Sequence, residues 1–244
     1  MQYKKYGYEG IMEYIERICE KYPYIEFSML GRSFMGRNIP ILSLGRGKSC
    51  VLYVGAVCGR EYMTSVALLK FINEYGALYS MGGKIYNNSL EALFSERTVY
   101  VLPMLDVDGV EYATNGISDK TALYDKLCGG EDDFECERGA LRNFVCFNDS
   151  IKATVTFRQK REGICFSGNK KSSVRAMSMA KCFSKSTGYS IDGAFDDNEL
   201  VFDELDIPFV SVRSGEGNGK ADKDALFFIY SRIREILFTA PFMI

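Results

Sequence analysis

Histidine is missing from all 244 positions of this chain, although Lys and Arg number 30 and Asp and Glu 32. Histidine is the usual acid–base group near neutral pH and the usual ligand of a catalytic metal. Its absence excludes Ser-His-Asp and Cys-His nucleophile activation, and with them every histidine-ligated catalytic zinc site. A charge excess is missing too: the formal net charge of -2 gives no electrostatic reason to expect nucleic acid or an anionic membrane surface as partner. No apolar run reaches the roughly 18 residues that span a bilayer. The opening segment MQYKKYGYEG has no apolar core behind its lysines, so a cytoplasmic protein is expected. Eight cysteines, at 19, 50, 58, 128, 136, 146, 165 and 182, form no CxxC pair and are expected to be reduced thiols, several packed as small hydrophobes. Self-similarity at a period of roughly 20–50 residues is absent, which excludes a repeat fold.

What is present is alternation. Hydrophobic residues make up 47% of the chain and charged residues 25%, an ordinary globular balance. The spacing of Ile11, Tyr14 or Ile15, and Ile18 predicts a helix over 9–21, stopped by Pro23. Short strands are expected over 25–30 and 38–44, joined by a turn at Gly31 and Gly36. CVLYVGAV (50–57) and TVYVLPML (98–105) are continuous apolar runs of the kind buried on both sheet faces. A long apolar helix is expected over 61–78, a turn at 107–109, and an irregular surface excursion over 118–149. Strands over 153–157, 163–166 and 209–212 and helices over 172–186 and 221–238 complete the pattern. Lys170 and Lys171 read as a solvated pair, and GEGNG at 215–219 as a turn, since it lacks the lysine–serine ending of a phosphate loop. The expected architecture is α/β: one domain over 1–244, a three-layer α/β/α sandwich with a mixed, mostly parallel central sheet.

Three segments, GRSFMGRNIPILSLG (31–45), VLYVGAVCGREYMTS (51–65) and VLPMLDVDGVEYATNG (101–116), resemble the zinc carboxypeptidases, including the bacterial branch that cuts γ-D-glutamyl-L-diamino acid peptides of the peptidoglycan type. The resemblance implies a carboxypeptidase-like fold, shortened in its second half around 148–153, where a loop and helix that wall the usual cleft are nearly missing. It also implies where the family's zinc ligands fall. The histidine position is Cys58 and the glutamate position is Glu61, within Cys58-Gly59-Arg60-Glu61. The third ligand position, after Phe157, is Arg158. The family's catalytic glutamate aligns with Arg213 in IPFVSVRSG (207–215). The pair that binds a substrate's terminal carboxylate corresponds to Arg142 and Asn143, and the substrate-contacting tyrosine to Tyr189.

These replacements set the functional expectation. Arginine cannot coordinate a metal and stays protonated, so it cannot act as general base. A guanidinium ~4 Å from a dication costs about 8 kcal/mol at the effective dielectric of a protein surface. No zinc, the family cofactor, is therefore expected. The first reading is a pseudoenzyme in which Arg158 and Arg213 replace the lost dication and pair with Glu61; a second role for the same arginines is a positive pocket that binds a peptide or peptidoglycan-fragment carboxylate, with Arg142 and Asn143 as further candidates. Two others stand beside it: a peptidase with an atypical metal site at Cys58, Glu61 and another ligand, and a non-catalytic interaction scaffold. A Cys58 nucleophile is left without a histidine to activate it.

Overall fold

The computed structural model describes residues 6–115, 135–167, 172–192, 207–215 and 223–244. Lys170, Lys171, Cys128, most of the 215–219 segment and the first half of the 118–149 excursion lie outside the described residues. The chain opens with α1 (Tyr8–Lys21), whose Ile11, Ile15 and Ile18 face inward. A hairpin follows, β1 (Ile25–Arg32) and β2 (Asn38–Gly45), and then the buried strand β3 (Ser49–Val54). One turn of 3-10 helix, Gly59–Glu61, leads into α2 (Met63–Ser80). A two-residue hairpin, β4 (Lys84–Ile85) with β5 (Asn88–Ser89), and the short α3 (Leu90–Glu96) precede β6 (Arg97–Leu102). Then come α4 (Val107–Asn115), α5 (Glu135–Cys146), β7 (Ile151–Arg158), β8 (Gly163–Ser167), α6 (Ser172–Thr187), β9 (Phe209–Arg213) and α7 (Lys223–Thr239).

Seven strands form one sheet in the order β1-β2-β6-β3-β7-β9-β8. The central four, β6, β3, β7 and β9, run parallel, and antiparallel strands close both ends. This is the mixed, mostly parallel sheet that the apolar runs imply. Side chains alternate across a strand, so the two tyrosines Tyr53 and Tyr100 mark opposite faces, Tyr100 sharing its face with its register partner Leu52. Tyr53 packs edge-on against Phe71 of α2 and donates its hydroxyl to the Leu237 carbonyl of α7 at 2.8 Å. Tyr100 packs on Phe144 of α5 at 5.2 Å. Helices thus cover both faces. Among the described residues, no helix is long and apolar enough to cross a membrane.

Three expectations need correction. The stretch 107–109 is no free turn but the first turn of α4, because the Asp106 carboxylate caps it by accepting the Gly109 N–H at 2.7 Å. The 118–149 excursion holds a helix, α5, whose Leu141 and Val145 are buried at helical spacing. The long helix starts two residues later than expected, at Met63, because 59–61 take 3-10 geometry.

Candidate functional site

The parallel strands all end at one edge of the sheet, and the candidate residues collect there. β3 stops at Val54, short of the expected 57, since Ala56 adopts a left-handed φ of 39° that no strand allows. The Thr64 hydroxyl accepts the Ala56 N–H at 2.7 Å and donates to the Glu61 carbonyl at 2.8 Å, folding the segment into a tight loop. Glu61 N–H closes the turn on the Cys58 carbonyl at 2.8 Å. Across the edge, Gln159 accepts the Met63 N–H at 3.1 Å and so ties the start of α2 to the end of β7.

Arg158 is the last residue of β7 and Arg213 the last of β9, and the two are register partners in a parallel pair. Arg158 donates its Nε–H to Glu61 Oε2 at 2.6 Å. Both partners are withdrawn from water, Arg158 at 2% and Glu61 at 5% exposure, with Arg213 beside them at 8%. The Arg158 carbonyl accepts Ser214 N–H at 2.9 Å and the Ser214 hydroxyl at 3.1 Å, which locks the two strand ends together. Cys58, half-buried on the same turn as Glu61, has its thiol pushed up by burial, with the Arg60 backbone and the Arg158 charge pulling the other way.

Three features of this edge escape motif reading. Thr154 and Thr156 share the Arg158 face of β7, and Ser211 shares the Arg213 face of β9; Thr156 and Ser211 are register partners. All three hydroxyls are buried without a hydrogen-bond partner. Asp106, 2% exposed, takes the Gly59 N–H on Oδ2 at 2.6 Å as well as the Gly109 N–H on Oδ1. Burial pushes its carboxyl up to about 7, against those two hydrogen bonds. Glu137 on α5 is buried and likewise pushed up, one oxygen accepting the Phe34 N–H at 3.2 Å. The strand pattern TVTFR and FVSVR, polar at every second position, is the signal for the hydroxyl row. Nothing local signals the distant partner of Asp106.

The other sequence candidates lie elsewhere. Arg142 and Asn143 are on the exposed side of α5, a helix packed at the β1 end of the sheet, whereas β7 and β9 are fifth and sixth in strand order. Tyr189 follows α6, its ring buried under Arg232 at 6.0 Å and its hydroxyl pushed up to about 12 by burial. Among the described residues, no group of three or more Cys, Asp and Glu side chains is arranged to hold a metal ion.

A mixed sheet of this order, with helices on both faces and Arg158 and Arg213 on the carboxyl edge of its parallel strands, defines a three-layer α/β/α sandwich. The chain belongs to the zinc carboxypeptidase family (M14), whose family model matches residues 11–167. It is 27% identical over 152 residues to Gamma-D-glutamyl-L-diamino acid endopeptidase 1 of Lysinibacillus sphaericus, a match covering 62% of this chain and 38% of that protein. It is 27% identical over 119 residues to a zinc carboxypeptidase of Saccharothrix mutabilis subsp. capreolus, covering 43% of this chain and 26% of that one. The matches thus span well under half the length of these relatives. The fold is similar to that of thrombin activatable fibrinolysis inhibitor, with a TM-score of 0.72 at 16% identity over 97% of this chain and 73% of that one. It is also similar to a metallo-carboxypeptidase from Burkholderia cenocepacia, with a TM-score of 0.65 at 12% identity over 97% and 69%.

Proposed function

We propose that this chain is a carboxypeptidase-family protein without zinc-dependent hydrolysis, which uses the arginine-bearing ends of β7 and β9 to hold a carboxylate-bearing peptide. The observation that carries the reading is the 2.6 Å bond from Arg158 Nε–H to Glu61 Oε2 in a buried setting. The carboxylate that would face a dication is committed to a guanidinium. Of the other family ligand positions, Cys58 holds a half-buried thiol whose ionisation burial disfavours, and metal binding needs the thiolate. Arg158 itself offers only donors. These residues do not fit a zinc ion, and at the base position Arg213 accepts no proton.

The same residues suit an anion. Glu61, Arg158 and Arg213 together sum to a net charge of +1, and arginine's planar fork matches a carboxylate. The buried hydroxyls of Thr156 and Ser211 beside them favour a ligand that brings hydrogen-bonding groups, since leaving them unpaired costs free energy. The name of the Lysinibacillus relative points to γ-D-glutamyl-L-diamino acid peptides as the first ligands to try. The cysteines among the described residues form no disulfide, which supports a reducing, cytoplasmic setting.

Calorimetric titration with γ-D-glutamyl-L-lysine tests the binding half. Arg158→Ala and Arg213→Ala should each weaken binding at least about tenfold, the loss of one charged hydrogen bond, while the exposed Arg60→Ala should not. Equal affinity in all three variants would refute the assignment. Elemental analysis tests the other half: about one zinc per chain surviving dialysis would overturn it.

A further inference from the structure

We propose that Asp106 is a positioning residue for the arginine site, acting through Gly59 to hold Glu61 against Arg158. Its role reaches beyond capping α4, because its two oxygens serve two elements. Oδ1 takes the Gly109 N–H of α4 at 2.7 Å, and Oδ2 takes the Gly59 N–H at 2.6 Å, on the turn that carries Cys58 and Glu61. A side chain that only capped the helix would need one oxygen. The backbone contact makes the tie rigid: a Cβ on Gly59 would lie 2.0 Å from the Gly109 carbonyl carbon, so the turn sits directly on the helix. From Gly59 the chain needs two residues to reach Glu61, whose N–H returns to the Cys58 carbonyl and whose carbonyl is held by Thr64. The Asp106–Gly59 bond is therefore one of the ties that fix the amino side of Glu61, beside its own N–H bond to Cys58 and the packing of Gly59 on Gly109. Asp106 touches neither arginine; it sets where the carboxylate opposite Arg158 stands.

The inference rests on the reading above only for its consequence in ligand binding, so the experiment separates the two. Asp106→Ser keeps a favoured helix cap for Gly109 but is too short to serve Gly59 as well. In wild-type protein the Arg158 Nε–H, buried and bonded to Glu61, should give a slowly exchanging NMR signal, absent in Glu61→Gln. Asp106→Ser should lose this signal while circular dichroism stays native. Its affinity for γ-D-glutamyl-L-lysine should fall at least about tenfold. A native variant that keeps the signal overturns the positioning role, whatever the affinities. Loss of the signal in a variant whose wild-type parent does not bind the peptide upholds the positioning role and refutes the ligand assignment instead. Should Asp106→Ser fail to fold, hydrogen exchange in the wild type decides: the Gly59 amide and the Arg158 Nε–H should open together, with protection within about tenfold. Protection of Gly59 that outlasts Arg158 by a hundredfold would overturn the inference.

Discussion

Two carboxylates, Glu61 and Asp106, are buried at this sheet edge, and they meet the cost of burial in different ways. Glu61 takes a guanidinium partner, so its charge is compensated. Asp106 takes two backbone N–H groups and no cation, and its carboxyl is pushed up to about 7 by burial, with Glu137 and Asp108 adding repulsion. The consequence for stability has a definite sign. An aspartate in the unfolded chain titrates near 3.9, so between roughly pH 4 and pH 7 the native state holds more protons than the unfolded state. Stability then falls as pH rises through that window, by about 4 kcal/mol at most from this one group. Glu137, also pushed up, acts in the same direction. Urea unfolding at pH 4.5 and pH 7.5 should show the wild type more stable at the lower pH, and Asp106→Asn should flatten most of that difference. A wild type that gains stability across the window would refute the assignment. At this scale the two arginines are legible in the sequence, since each ends an apolar strand where the resemblance implies a carboxylate or an imidazole. Asp106 is not legible, because DVDG reads as a turn and the partner of its second oxygen is 47 residues away.

At the scale of elements, the site depends on how β3 hands over to α2. The strand breaks at Ala56, which holds a left-handed φ of 39°, and the following turn presses its backbone on the first turn of α4. Glycine at 59 is required by that contact rather than by its dihedral angles. Gly59→Ala would place a methyl carbon 2.0 Å from one backbone atom and 2.3 Å from another of Gly109, and neither belongs to a flexible side chain. The two elements must separate, which breaks the Asp106–Gly59 bond as well. The expected loss is at least about 3 kcal/mol, in the range of severe core overpacking plus a lost charged hydrogen bond. Gly36→Ala is a poor control because its φ is 80°; Gly139→Ala on α5 has open space and a helical backbone, and should stabilise slightly. Chemical denaturation of the two variants checks the contrast. The strands were readable because doubly buried runs such as VLYV leave little alternative. α5 was not, because its buried face includes Glu137 along with Leu141 and Val145, and an acidic, glycine-bearing segment imitates a surface loop.

At the scale of the whole molecule, the fold is a carboxypeptidase-like scaffold, and the sequence resemblance sets Cys58, Glu61 and Arg158 at the positions expected for the family's metal ligands. Arg158 still ends β7, and Cys58 and Glu61 still share the turn after β3. If the frame is intact, restoring the side chains should restore ion binding. The double variant Cys58→His/Arg158→His, with Glu61 kept, provides two imidazoles and a carboxylate, a ligand set that suits zinc. It also removes the guanidinium that holds Glu61 Oε2. This variant should retain about one zinc per chain through dialysis, and at zinc a hundredfold above its dissociation constant gain about 2.7 kcal/mol of stability, seen as a rise in melting temperature of roughly 5–10 °C. Hydrolysis should stay absent, because Arg213 cannot take a proton from water. Single replacements should bind poorly: Cys58→His leaves the guanidinium in place, and Arg158→His leaves a half-buried thiol whose ionisation burial disfavours. Zinc uptake by the double variant alone would tie the absence of zinc binding in the wild type to these two side chains. Uptake by the wild type would show that Arg158 yields Glu61 to a cation, and failure of the double variant would show that the strand end and the turn no longer hold the spacing a metal needs.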